Sequence, residues 1–157
     1  MEFTIGKKVV ELKFDYRLMY KINKQMGSKN AETGQSNNDG VGALFLAVVE
    51  RDDSGLVQLV QLCGSEKGKE VTEEMALAAI EVYFDKSGAE DAQEALFAEL
   101  EREMVESGFF KKKILKYIEQ LKKASKAIAL RAESEELAEL QEQELQATIS
   151  KMEDVLS

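Results

Sequence analysis

At 157 residues, with a formal net charge of −9, one cysteine and no histidine, tryptophan or proline, the chain is long enough for one domain with a sizeable core. The missing imidazole removes the commonest general base and metal ligand, and the lone thiol, Cys63, rules out an internal disulfide. The negative balance argues against nucleic acid as the main ligand, because phosphate neutralisation needs clustered positive charge.

The opening Met1-Glu2-Phe3-Thr4 has no basic flank before an apolar core, and no apolar run approaches bilayer length, so neither secretion nor membrane insertion is expected. Phe3 and Ile5 alternate with polar neighbours, and beyond Gly6-Lys7 the alternation resumes at Val10, Leu12 and Phe14. This predicts a β-hairpin closed by a type II′ turn with glycine at its first position, its apolar face covered by helices. Asp15 is placed to cap a helix carrying Leu18, Met19, Ile22 and Met26, which Gly27 ends; its Arg17, Lys21 and Lys24 face water. From Ser28 to Asp39 nothing apolar exceeds Ala31 in size, so that stretch reads as a mobile loop outside the core. Val41, Leu44, Phe45 and Val48 form the next helical face. Asp52-Asp53-Ser54-Gly55 then supplies turn and cap chemistry for a helix with Leu56, Leu59, Val60 and Cys63, where the thiol reads as buried rather than reactive. Val71-Thr72 looks like a staple residue and N-cap for a helix with Leu77, Ile80, Tyr83 and Phe84, closing at Lys86-Ser87-Gly88.

The stretch Ala89–Lys122 joins these elements to the most helical part of the chain. Leu96, Phe97, Leu100 and Met104 keep helical spacing behind Glu90 and Asp91 in a first turn; Ser107-Gly108 is expected to end that helix through a left-handed glycine. A second apolar series restarts at Phe110, Ile114, Ile118 and Leu121. Phe109 and Phe110 read either as core packing at the corner or as an exposed anchor for a partner. Beyond them, with no further glycine or proline, the chain can form one long helix or a helical hairpin. Lys111, Lys112, Lys113, Lys116, Lys122, Lys123 and Lys126 form a basic block, and Glu133, Glu135, Glu136, Glu139, Glu142, Glu144, Glu153 and Asp154 an acidic one. Leu145, Ile149, Met152 and Leu156, spaced four, three and four, make a short seam suited to another helix. The fold class expected is mainly α (α+β), with residues 1–123 as a hairpin-plus-helices domain and 124–157 as an acidic helical tail, either a coiled coil or disordered when free.

Sites of chemistry are not in evidence. Gln35–Leu46 has Asn37, Asp39 and Gly40 in a calcium-loop arrangement, but glutamine opens it and Leu46 stands where a bidentate acid is needed. Gly40-Val41-Gly42 begins like a dinucleotide fingerprint, yet Phe45 replaces its third glycine and no strand precedes it. No serine or cysteine has a histidine to activate it, and paired carboxylates such as Glu101 and Glu106 read as solvated helix charges. No catalytic residue, metal ligand or cofactor is therefore expected.

Three stretches carry a family resemblance. Phe3-Thr4-Ile5-Gly6-Lys7-Lys8-Val9-Val10-Glu11-Leu12-Lys13-Phe14 running into the helix with Leu18 and Ile22, Gly42–Leu62 followed by Thr72-Glu73-Glu74 opening a helix with Ile80, and Glu99–Lys113 with its Glu106-Ser107-Gly108-Phe109-Phe110-Lys111 are together similar to the tail assembly chaperones of long-tailed phages and prophages of Gram-positive bacteria. The resemblance covers roughly Met1 to Lys123 and implies a non-enzymatic chaperone that coats the long helical tape measure protein in the host cytoplasm. It further implies release by the finished tail and, through a longer frameshifted form, recruitment of the tail tube protein. Phe109, Phe110, Ile114, Ile118 and Leu121, with the seam of Leu145, Ile149, Met152 and Leu156, are the expected partner-binding residues, and self-association is expected of an exposed seam. Two rivals stand beside it: a regulatory adaptor dimerising through its C-terminal helix, and an acidic nucleic-acid mimic, against which the lysine block counts.

Overall fold

The computed structural model describes residues 1–132 and 136–157. An antiparallel hairpin, β1 (Glu2–Ile5) and β2 (Lys8–Glu11), is followed by α1 (Tyr16–Met26), α2 (Gly40–Val49), α3 (Asp53–Gly64), α4 (Glu73–Ser87), α5 (Ala92–Glu106), α6 (Gly108–Ala132) and α7 (Glu136–Leu156). The architecture is the mainly helical α+β one expected, and of the two alternatives for the C-terminal half the helical hairpin forms. Glu133 and Glu135 of the acidic block lie outside the described residues.

Local chemistry explains most boundaries. Phe3 pairs with Val10 and Ile5 with Lys8, so the turn is Gly6-Lys7; Gly6 takes φ +63° while Lys7 stays out of the left-handed region, as a type II′ turn requires. Phe3 and Ile5 are buried, and Phe3 stacks on Tyr83 of α4 at 5.0 Å, which covers the face that two strands alone would leave wet. Side chains of Asp15, Asp52, Thr72 and Asp91 accept from the backbone N–H of Leu18, Ser54, Met75 and Glu94, each cap contributing about 1 kcal/mol. Helix α2 is capped differently. Asp39 turns away to accept from the N–H and hydroxyl of Ser28, and the buried Asn23 of α1 accepts from Val41 N–H at 3.0 Å instead.

Helix α2 is the centre of the molecule. Its residues are apolar on every side, the pattern of a helix surrounded by others, and it packs against α1, α3, α5, α6 and α7. Val41, Leu44, Phe45 and Val48 are all fully buried. At Gly42 the backbone meets Tyr117 of α6 so closely that an added Cβ would lie 2.0 Å from the ring's Cγ. The glycine that resembled part of a nucleotide fingerprint is thus explained by helix packing.

Three expectations are revised. Ser107, not Gly108, separates α5 from α6: it is extended at φ −76°, and Gly108 enters α6 without a left-handed angle, whereas Gly88 does close α4 at φ +66°. On α4, Ile80 is buried as expected, but Leu77 is 40 % exposed and Ala76 and Ala79 are buried in its place. Residues 28–39 are outside the core as expected, but they fold into a hydrogen-bonded excursion. A bridge joins Lys29 to Ser36, Asn30 side-chain oxygen accepts from Glu32 and Thr33 N–H, and Ser36 hydroxyl donates to Asn23 carbonyl. Short Asn, Ser and Asp side chains satisfy the backbone there without apolar burial.

Candidate partner-binding surface

The corner between α5 and α6 is fixed to the end of the hairpin segment. Ser107 hydroxyl donates to the Phe14 carbonyl at 2.8 Å, and Phe110 lies fully buried with its ring edge-on to Phe14 at 5.0 Å. Adjacent helix positions point about 100° apart, so burying Phe110 turns Phe109 outward. Phe109 is 53 % exposed and meets the Tyr16 ring edge-on at 5.6 Å; Tyr16 is itself 59 % exposed, and Tyr20, one turn along α1, 57 %. Three exposed rings therefore mark one side of the α1–α6 junction. Arg17 and Lys24 of α1 and Lys112 and Lys116 of α6 are exposed around these helices. Two tyrosines with polar tips and one wholly apolar phenylalanine, on helices that also carry exposed cations, suit an amphipathic segment carrying carboxylates.

The other residues expected to meet a partner sit elsewhere. Ile114, Ile118, Ile149 and Met152 are buried, and Leu121, Leu145 and Leu156 are half-buried against the same core. Gln146 amide donates to the buried Ser125 hydroxyl at 2.5 Å, and Lys122 pairs with Glu153 at 3.0 Å. Because the contacts advance along α6 as they retreat along α7, the two helices are antiparallel, and the seam faces α6 of the same chain. Of the nine residues, Phe109 alone is exposed. The basic and acidic blocks do meet, at Lys122 and Glu153, but both side chains are about half exposed (52 % and 45 %), so screening leaves the pair weak.

Over residues 2–119 the sequence matches the family described as phage tail assembly chaperone protein, TAC. The chain belongs to that family. Comparison with curated proteins and with solved structures gave no match. The matched stretch of the chaperone holds the hairpin, the ring cluster, α1 to α5 and the first part of α6; Leu121 and all of α7 lie beyond it.

Arg51 is a structural centre of the chaperone that sequence reasoning missed. In the turn between α2 and α3, at φ +58°, it donates to Glu94 at 2.6 and 2.9 Å, to Glu101, and to Val48 carbonyl at 2.9 Å, with its guanidinium 5.8 Å from the Phe97 ring centre. These bonds clamp α5 onto the α2–α3 turn. The guanidinium holds the Glu94 carboxyl below its usual range, and bonding to Glu94 pushes Arg51 further up. The Cys63 thiol is pushed up to about 12 by burial, the condition of an unreactive thiol. An open groove of about 930 Å³ between α1, α3 and the loop after α3 is lined mainly by Lys21, Gln25, Gln58, Gln61, Glu66 and Glu70, with no thiol or hydroxyl held against a base. Among the described residues no group of three or more acidic or thiol side chains could hold a metal, and no helix is long and apolar enough to cross a membrane.

Proposed function

We propose that this chaperone binds and solubilises the tape measure protein while the tail tube assembles, without catalysis, in the host cytoplasm of a siphovirus-type phage or prophage of a Gram-positive bacterium. The observation that carries this reading is the exposed cluster of Tyr16, Tyr20 and Phe109, on two helices that also expose Arg17, Lys24, Lys112 and Lys116, in a chain of the tail assembly chaperone family. Aromatic rings take up the apolar stripe of an incoming helix while lysines donate to its carboxylates, and many weak copies along one long chain give strong yet reversible coverage. In this reading the tail tube protein is a second partner, reached through a longer frameshifted form. The rival reading, an adaptor dimerising through its C-terminal helix, lacks a free seam to act through, since that seam is packed on α6.

The test is co-expression of the tape measure protein with the double variant Tyr16→Ala, Phe109→Ala. Both side chains are more than half exposed, so the variant retains its fold. Loss of soluble tape measure protein is expected; full solubilisation by the folded variant would contradict the proposal.

A further inference from the structure

Helices α1 and α6 run side by side in the same direction. Near their starts Tyr16 meets Phe109; further on, Asn23 of α1 holds the Val41 N–H while the next residue, Gly42, lies against Tyr117 of α6. Tyr16 to Asn23 and Phe109 to Tyr117 each span about two turns, so the two helices stay in step over that length. The exposed groups along them change in a set order. On α1, Tyr16, Tyr20 and Lys24 follow at four-residue intervals, one row on the helix surface. On α6, Phe109 is followed by Lys112 about one turn on and by Lys116 about two turns on, the latter within about 20° of the direction of Phe109. Rings thus stand at the start of both helices and lysines about 10–12 Å beyond them. Arg17 leaves this row for the hairpin side, where it lines a hollow with Glu11 and Lys13. At the ring end stand the exposed carboxylates of Asp15, which caps α1, and Glu106, which closes α5.

We infer that the α1–α6 face reads the order of groups along its partner: it takes an amphipathic helix whose apolar residues and carboxylates occupy successive stretches, the apolar ones on Tyr16, Tyr20 and Phe109 and the carboxylates about two turns away at Lys24 and Lys116. This rests on the ring cluster being a partner surface, as proposed above, and adds which helices it accepts. Charge complementarity sets the order. A carboxylate over the rings gives up water beside apolar groups and faces Asp15 and Glu106, whereas about two turns on it meets a lysine from each helix. An apolar residue moved to the lysines leaves the rings uncovered. A helix of the same composition with the order broken therefore binds more weakly, the repulsion at the ring end serving specificity as much as the attraction beyond it.

The experiment uses the full chain and fluorescein-labelled, alanine-rich helical peptides of about 20 residues. One carries a pair of leucines a turn apart and a pair of glutamates about two turns beyond them; the other has the same composition with the glutamates moved next to the leucines. Anisotropy titrations are expected to show the first bound roughly tenfold tighter, the effect of two exposed ion pairs, with the preference shrinking as salt is added. Lys24→Glu with Lys116→Glu changes two exposed side chains and leaves the core untouched; this variant should lose the preference and regain it for a peptide with lysines in place of the distant glutamates. Equal binding of the two peptides overturns the inference while leaving the rings a partner surface, and so does a preference that the lysine variant keeps. Binding of neither peptide overturns it as well; whether the rings then serve a partner at all is decided separately by the co-expression test of the Tyr16→Ala, Phe109→Ala variant.

Discussion

Replacing Gly42 by alanine sets helix propensity directly against packing. A methyl there would stand 2.0 Å from Cγ and 2.4 Å from Cβ of Tyr117, where carbon atoms ordinarily sit about 3.5–4.0 Å apart. No rotamer of Tyr117 moves its own Cβ, so α2 and α6 must separate by roughly 1.5 Å to restore normal contact. Alanine improves on glycine in a helix interior by about 1 kcal/mol, whereas overpacking a core costs about 1–3 kcal/mol and more when backbones shift. The clash wins. Because two helices must move apart, the cost lies at the upper end, about 3 kcal/mol, so Gly42→Ala is expected to destabilise the chain by about 2 kcal/mol, lowering the thermal midpoint by about 4–8 °C for a chain of this size. Urea and thermal unfolding followed by circular dichroism measure it, and a double-mutant cycle with Tyr117→Ala should show the two sites strongly coupled. A variant as stable as the unmodified chain, or more so, would refute the close approach of α2 to α6.

Neighbouring phenylalanines should behave oppositely: Phe110→Ala, at a fully buried ring, should cost about 3–5 kcal/mol in urea unfolding, and Phe109→Ala should stay within about 0.5 kcal/mol while weakening tape measure capture. Arg51→Met should flatten the acid limb of stability. The folded Glu94 carboxyl lies below its unfolded value, so the contribution of this pair is present above the unfolded carboxylate pKa of about 4.3 and is lost as pH falls through the folded value. Urea midpoints measured downward from about pH 5 should therefore fall more steeply for the unmodified chain than for the variant. Cys63, with its thiol pushed up to about 12, should react with a thiol reagent slowly in the native chain and at the rate of a free cysteine in denaturant.

What the sequence made legible was local. The turn at Gly6, the caps at Asp15, Asp52 and Thr72, and the buried series Leu96, Phe97, Leu100 and Met104 each depend on residues within a few positions of one another, and each stands where the pattern put it. Helix α4 shows the limit: Met75, Ala76, Leu77, Ala79, Ile80 and Val82 leave apolar groups on several sides, so only the neighbouring elements select which side is buried. The division of labour between Phe109 and Phe110 depends in the same way on how α6 is rotated about its axis. Arg51 reaches carboxylates 43 and 50 residues away, a pairing that no local pattern announces. Tyr16 and Tyr20 did leave a trace, since they sit four apart and outside the Leu18, Met19 and Ile22 stripe; two rings repeating on a helix's wet side are the signal that points to a surface. The seam of α7 was legible as a seam, but its choice of α6 in the same chain is a tertiary event.

The proposed function is to hold a tape measure protein in solution. Its most direct test is to co-express the two proteins from one phage and determine the mass of the soluble fraction by light scattering. A soluble complex with many chaperone copies on each tape measure chain is the predicted result; an insoluble tape measure protein beside free chaperone would contradict it.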